Sequence, residues 1–156
     1  MEEIRFLAKP YRDGDRSGGI RLFVNGQNFA DLVREQELRF ATAEGSPSIA
    51  GAYAGLPPSP DVLPPSGHFL GRPTAALYDF DERVQILGCE CGEPGCWPLV
   101  CRIQVTDERV TWSDFEQPHR SPSSNRHWSY EDFGPFTFDR RQYEAALAAM
   151  GSRGAS

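Results

Sequence analysis

All four cysteines of the chain lie between positions 89 and 101, in the spacing C-x-C-x4-C-x4-C. Clustered thiolates bind Zn²⁺ in tetrahedral sites at about 2.3 Å per sulfur. Two neighbouring thiols can instead form a disulfide, and free cysteines are often small buried residues in a reducing compartment. Three interpretations therefore stay open: a zinc site, a redox pair of Cys91 and Cys96, or packed thiols. The candidate metal ligands are Cys89, Cys91, Cys96 and Cys101.

The spacing of the cysteines predicts that a reversal of the chain gathers three of the sulfur atoms. A hairpin loop at Gly92–Gly95 would set Cys91 opposite Cys96, with their Cα atoms about 4.5–5.5 Å apart. Cys89 precedes Cys91 by two residues, so it projects to the same face of the strand. Cys101 follows Cys96 at an odd offset and joins the others only if a bulge resets the register. The remaining sources of a fourth ligand are His68, His119, His127 and water.

A second group of residues with chemical potential lies between positions 117 and 130. This stretch carries two arginines, two histidines and no acidic residue. Arginine binds carboxylate or phosphate through paired hydrogen bonds, so the stretch predicts an anion or metabolite pocket. The alternative is an ordinary loop whose arginines pair with nearby acidic residues. The candidate ligand-binding residues are His119, Arg120, Arg126, His127 and Trp128.

The sequence contains none of the common motifs for phosphate binding or nucleophilic catalysis. There is no G-x4-G-K-[ST], no G-x-G-x-x-G and no G-x-S-x-G pattern. The carboxylates of Asp79 and Asp81 are too few for a calcium loop. Ser113, Asp114 and His119 lie close in sequence, but a catalytic triad depends on spatial geometry. The sequence therefore assigns no catalytic residue and leaves enzyme activity open.

Charge and hydropathy limit the classes of partner. Sixteen basic and 22 acidic side chains give a formal net charge of −6, which argues against nucleic acid. No apolar run approaches the about 20 residues that a membrane helix needs. The start lacks the basic and apolar segments of a secretory signal. We therefore expect a cytoplasmic protein with no membrane partner.

The hydrophobic pattern predicts one α+β domain over residues 1–150. Short strands are expected at Ile4–Leu7 and Ile20–Val24, where apolar residues cluster between turn signals. Three later strands follow one another in the chain and predict an antiparallel meander. These three strands are Val84–Cys89, Leu99–Val105 and Val110–Phe115.

Two helices and one long loop complete the predicted architecture. Asn28 is suited to cap a helix from about Phe29 to Glu37 or a little beyond. Asp139 is suited to cap a C-terminal helix, Arg140–Met150, that packs on the sheet and stops at Gly151 before a frayed tail. Residues 41–71 hold six prolines and five glycines, which predicts a long irregular loop. Such a loop either wraps the surface or forms a flap over a site.

Residues 89–99, CECGEPGCWPL, resemble a CxCGxxGCWPL strand-turn-strand motif of small uncharacterised bacterial proteins, many of them actinobacterial. The segments WSDF at 112–115 and FTFDRRQY at 136–143 are similar to the same group. The resemblance covers about residues 83–147. It implies a shared domain and carries over no catalytic role, because we know no activity assigned to the group.

The sequence favours a non-catalytic, soluble interaction or accessory protein with an unidentified protein partner. Its cysteine-rich hairpin turn either holds a structural zinc ion or packs as thiols. The alternative is a small enzyme or an anion- or metabolite-binding protein. Its site would lie under the long loop near His119, Arg120 and His127.

Overall fold

The computed structural model describes residues 1–10, 18–91, 93 and 95–154, and describes side chains as far as residue 150. Nine strands and two α-helices occur in this part of the chain. The five strands expected from the sequence are present, each within two residues of its predicted bounds. In chain order the elements are β1 (Ile4–Lys9), β2 (Gly19–Val24), β3 (Gln27–Asn28), α1 (Phe29–Ala43), β4 (Tyr53–Gly55), β5 (Asp79–Phe80), β6 (Arg83–Cys89), β7 (Leu99–Val105), β8 (Arg109–Glu116), β9 (Phe136–Asp139) and α2 (Arg140–Gly154).

The strands form two antiparallel sheets that curl around a common core. Strands β1, β2 and β3 make the smaller sheet. In the larger sheet the order is β4, β6, β7, β8 and β9, with β5 also paired to β6. A bridge between Ile20 and Leu56 and another between Glu2 and Phe138 join the two sheets. The predicted α+β class and the antiparallel meander are confirmed, because β6, β7 and β8 are consecutive in the chain and adjacent in the sheet.

Aromatic side chains with satisfied polar ends fill the core. Trp112 of β8 is fully buried and lies edge-on to Phe29 of α1, with 5.4 Å between ring centroids. Its indole Nε1 donates a hydrogen bond to the hydroxyl of Tyr143 on α2 at 3.0 Å. The Tyr143 hydroxyl in turn donates to the carbonyl of Phe69 at 2.5 Å. A buried aromatic ring is stable when its polar atom finds such a partner, so these bonds fix α2 against the sheet.

The first helix begins where the sequence predicts and runs further than expected. The Asn28 side chain accepts a hydrogen bond from the amide of Ala30 at 3.0 Å, as an N-terminal cap should. The helix then continues past Glu37 to Ala43. Its buried side chains recur every fourth position, which is the spacing of one helical face. They are Phe29, Val33, Glu37 and Ala41.

Glu37 is a carboxyl group on this buried face, and it is 0% exposed. It accepts hydrogen bonds from the amide of Gly51 at 2.8 Å, the hydroxyl of Tyr53 at 2.6 Å and the hydroxyl of Tyr130 at 2.5 Å. Burying a carboxylate is costly unless such donors surround it. The four groups therefore hold α1, β4 and the segment before β9 in one arrangement.

The segment at 41–71 is more ordered than the predicted loop. Helix α1 occupies its first residues, and single 3₁₀ turns form at Pro47–Ile49 and His68–Leu70. Strand β4 lies between them and pairs with β6. Leu56 and Phe69 are buried in the core. Since the segment contributes a strand and core residues, its description as one long irregular loop is corrected.

The C-terminal helix begins as predicted and ends later. The Asp139 carboxylate accepts a hydrogen bond from the amide of Gln142 at 3.0 Å. The Gln142 side chain also binds both backbone groups of Ile4, which connects α2 to β1. The expected stop at Gly151 is wrong, because the helix continues to Gly154. One glycine costs a helix only about 1 kcal/mol and does not by itself end it. Neither described helix has the length and apolar character needed to span a membrane.

The buried Glu37 carboxyl makes the stability of the fold depend on pH in a defined direction. Burial raises the pKa of Glu37 above its usual 4.5, and hydrogen bonds from Gly51, Tyr130 and Tyr53 oppose that shift. A carboxyl with a higher pKa in the folded state binds more protons when folded, so its stabilising contribution falls as the pH rises.

We expect urea denaturation to give a difference in unfolding free energy, wild type minus Glu37→Gln, that is larger at pH 5 than at pH 8. Other titrating groups are common to both proteins and cancel in this difference. A difference that is constant, or that grows toward pH 8, would contradict a raised pKa for the buried Glu37 carboxyl.

Candidate metal centre

Strands β6 and β7 supply the frame of the cysteine cluster. Cys89 is the last residue of β6 and pairs with Tyr53 of β4. The ladder between β6 and β7 ends at the pair Leu87 and Leu99. Pro98 immediately precedes β7 and has no N–H to extend that ladder. The connection between the strands therefore consists of residues 90–98, which include Cys91 and Cys96.

The predicted hairpin register differs from the structure in this region. We expected Cys91 and Cys96 to face each other across paired strands, but both lie beyond the last described pair of the ladder. Two residues of the expected loop, Gly92 and Pro94, lie outside the described residues. On the far side of the loop, the Cys96 amide donates to the carbonyl of Glu93 at 3.0 Å. A local turn, rather than strand pairing, therefore places Cys96.

The three sulfur atoms nevertheless converge as predicted. The Sγ atoms of Cys89, Cys91 and Cys96 all lie within 4.8 Å of one another. Zinc–thiolate bonds of about 2.3 Å place the sulfurs of a tetrahedral site about 3.8 Å apart, so only a small contraction is needed to reach that geometry. The Cys91 amide donates to the Cys89 sulfur at 3.3 Å, which aligns these two residues. All three residues are free cysteines, and they are positioned to hold a metal ion.

Mutual hydrogen bonds divide the protons among the three thiols unequally. Cys91 accepts a hydrogen bond from the Cys89 thiol, and this contact lowers the pKa of Cys91. Burial, together with the hydrogen bond to Cys91, raises the pKa of Cys89 to about 12. Hydrogen bonding to Cys91 also raises the pKa of Cys96. Among the three thiols, the pKa of Cys91 is therefore shifted toward the thiolate form, and the pKa values of Cys89 and Cys96 are shifted toward the protonated form.

Cys101, the fourth cysteine of the predicted ligand set, lies apart from the other three. It is fully buried in β7, where it pairs with Val84 of β6. Burial raises the pKa of its thiol, so the group stays protonated. Cys101 does not belong to the three-sulfur group. The physical reason is that Cys101 lies inside the β6–β7 ladder, whereas Cys91 and Cys96 lie in the connection beyond its last pair.

Among the three histidines, His119 lies beside the cysteine turn. Its ring stacks on Trp97 at 5.8 Å between centroids, and its Nε2 lies 3.3 Å from the carbonyl oxygen of Gly95. His68 is buried in the core, with its Nε2 2.7 Å from the carbonyl oxygen of Gln85. Histidine 127 is exposed and lines a separate groove along β8.

The basic stretch at 117–130 gathers around a carboxylate of the same chain. Glu44 accepts two hydrogen bonds from the Arg120 guanidinium, at 2.9 and 3.0 Å, and one from the indole of Trp128 at 2.6 Å. Arg126 lies 3.7 Å from the same carboxylate. The Arg120 hydrogen bonds are the main reason why the pKa of Glu44 is lowered. Arg120 therefore joins the basic stretch to the end of α1. Its charge is balanced by Glu44, and not by the acidic residues nearest to it in sequence.

Aromatic rings enclose the guanidinium of Arg120. It lies over Trp97 at 5.1 Å and over Trp128 at 5.4 Å from the ring centroids. Cation–π contacts of this kind favour a charged group that is partly withdrawn from water. The predicted residues His119, Arg120 and Trp128 thus meet at Trp97, next to the cysteines. His127 does not take part in this arrangement and faces the groove along β8.

The sequence did not identify the buried residues that support the site, Gln117 and Tyr53. Gln117 is fully buried, and its side-chain nitrogen donates to the Tyr53 hydroxyl at 3.1 Å. Its side-chain oxygen accepts from the amide of His119 at 3.0 Å. Tyr53 in turn is bonded to Glu37 and paired with Cys89. The four-residue spacing from Phe29 and Val33 indicates that Glu37 lies on the buried face of α1. Nothing in the sequence indicates that Gln117 is buried.

Comparison with protein-family models, curated proteins and solved structures finds no match to the chain. The resemblance of residues 83–147 to a bacterial family therefore stays a prediction. The assignment of the metal site depends on the geometry of its three cysteines.

The Glu44 carboxylate should contribute measurably to stability, because charged hydrogen bonds in a largely buried setting are worth about 1.5–3 kcal/mol. We expect Glu44→Gln to lower the free energy of unfolding by about that amount, measured by urea denaturation at pH 7. The matched control is Glu35→Gln on the exposed face of α1, expected to change stability by less than about 0.5 kcal/mol. Equal effects of the two substitutions would show that Glu44 does not join the segments.

Proposed function

We propose that the protein is a non-catalytic accessory or interaction protein whose cysteine turn binds a structural zinc ion. The ligands are Cys89, Cys91 and Cys96. The observation that carries the proposal is the convergence of their three sulfur atoms within 4.8 Å. Thiolates are soft ligands, and a compact set of them favours Zn²⁺ in a tetrahedral arrangement.

Exposure of the thiols argues against simple packing. Cys91 and Cys96 are exposed, whereas Cys101 is the buried thiol. A cysteine that serves as a small apolar residue belongs in the core, so that interpretation suits Cys101 alone. The exposed pair is accessible to a metal ion, and also to an oxidant that would join the two sulfurs as a disulfide.

A structural role follows from the position of the turn. A metal ion at the three sulfurs would fix the connection between β6 and β7, residues 90–98. This connection lies beyond the last pair of the β6–β7 ladder, Leu87 and Leu99. When a site forms only in the folded chain, the energy of metal binding adds to the energy of folding. The ion would then hold the surface of the turn in one shape, as an interaction surface for a partner protein requires.

The proposal places the protein in the cytoplasm, where thiols stay reduced and available to zinc. The alternative, a small enzyme or anion-binding protein near His119 and His127, has less support. Arg120, its best anion ligand, already donates two hydrogen bonds to Glu44.

Substitution of single cysteines tests the zinc proposal. We expect the reduced, tag-free protein to bind one zinc ion per chain, measured by elemental analysis after gel filtration. Cys91→Ser should lose the zinc and lower the Tm in zinc-containing buffer by about 4 °C or more, which corresponds to at least about 1–2 kcal/mol for a chain of this size.

The matched control is Cys101→Ala, which removes the buried thiol outside the group. It should keep one zinc per chain, although the small cavity that it leaves lowers stability. Reduced wild-type protein that binds no added zinc would contradict the proposal, as would a Cys91→Ser variant that binds zinc as wild type does. Loss of two titratable thiols in wild type, with no metal bound, would favour the disulfide instead.

A further inference from the structure

We propose that His119 supplies the fourth ligand of the zinc site, which rests on the proposed function. Three thiolates leave one position of a tetrahedral zinc ion open. Structural zinc sites are closed, and three cysteines with one histidine is among their usual ligand sets. The sequence offers three histidines, and the structure distinguishes them by position.

His119 contacts both chain neighbours of Cys96, Gly95 and Trp97. Its ring stacks on Trp97, with an angle of 12° between the ring planes. Its Nε2 lies 3.3 Å from the carbonyl oxygen of Gly95. The imidazole therefore contacts the residue on each side of one proposed ligand, through the Gly95 carbonyl and the Trp97 ring, whereas His68 is enclosed in the core.

The contact with Gly95 also defines which ring nitrogen of His119 is available. A carbonyl oxygen only accepts hydrogen bonds, so in the neutral ring Nε2 carries the hydrogen and Nδ1 keeps its lone pair. Histidines that bind metals almost always donate their other N–H to a carbonyl, a carboxylate or water, which fixes the orientation of the ring. The bond to Gly95 is the kind of supporting contact that a ligand at Nδ1 requires.

The backbone of His119 is anchored, and its ring is exposed beside the cysteine turn. Gln117 accepts a hydrogen bond from the His119 amide, and Arg120 is held by Glu44. The ring itself is exposed and keeps one long hydrogen bond and one stacking contact. His119 is not a member of the three-sulfur group, so ligation requires the cysteine turn and the His119 ring to move closer together while the Gly95 contact is kept.

Ligation by His119 would give the metal a second task. The ion would then join the connection between β6 and β7 to the 3₁₀ turn at Pro118–Arg120. That turn is already connected to the end of α1 through Arg120 and Glu44. Zinc would thus hold together the two segments on either side of Trp97.

X-ray absorption of the zinc-loaded full chain tests this inference directly. Wild type should show three sulfur ligands and one nitrogen, with the outer-shell signal of an imidazole ring. His119→Ala should lose the imidazole signal and weaken zinc binding about tenfold or more, measured by competition with a chelator. The matched control, His127→Ala, removes the exposed histidine of the groove and should leave both the spectrum and the affinity unchanged.

A rescue variant separates ligation from folding. His119→Cys offers a thiolate in place of the imidazole and should restore tight binding with four sulfur ligands. Absence of the imidazole signal in wild type, with His119→Ala binding zinc as tightly, would overturn the inference and leave the three-cysteine proposal standing with water or a carboxylate as fourth ligand. Failure of wild type to bind zinc would overturn both.

Discussion

The Glu37 carboxylate has no contact with solvent, and three groups from two separate segments of the chain donate hydrogen bonds to it. A charge in this position is tolerated only when donors surround it, so the donors have little freedom in where they lie. Gly51 and Tyr53 bring in the chain that follows α1, and Tyr130 brings in the chain that precedes β9. Helix α1 therefore sets the position of two segments that share no strand pairing with it.

The same constraint reaches the candidate metal centre through two connections. Tyr53 binds Glu37 through its hydroxyl and pairs through its backbone with Cys89, so one side of the cysteine turn is fixed from below. Gln117 binds the Tyr53 hydroxyl and accepts the amide of His119, so the adjacent turn is fixed as well. The network beneath is buried and hydrogen-bonded, whereas Cys91 and Cys96 stay exposed. A site with a fixed base and accessible sulfurs is suited to binding an ion from solution.

The parts of the fold that follow from local rules could be read from the sequence. The cap at Asn28, the strands of the meander and the two-residue spacing of Cys89 and Cys91 all depend on neighbours in the chain. These features need no knowledge of tertiary contacts.

Contacts between distant residues could not be read in this way. Glu44 and Arg120 are 76 positions apart, so the sequence suggested closer acids as partners of the arginine. Glu37 looked like an ordinary polar residue near a helix end, although its spacing from Phe29 and Val33 places it on the buried face. In each case the cost of an unpaired buried charge decides the structure, and that cost depends on groups that the fold brings together.

Anomalous diffraction at the zinc edge tests the central claim most directly, using crystals of the reduced protein grown with zinc. The account predicts a single strong peak about 2.3 Å from the Sγ atoms of Cys89, Cys91 and Cys96. A map with no peak near these sulfurs, or with zinc bound only at other residues, would contradict it.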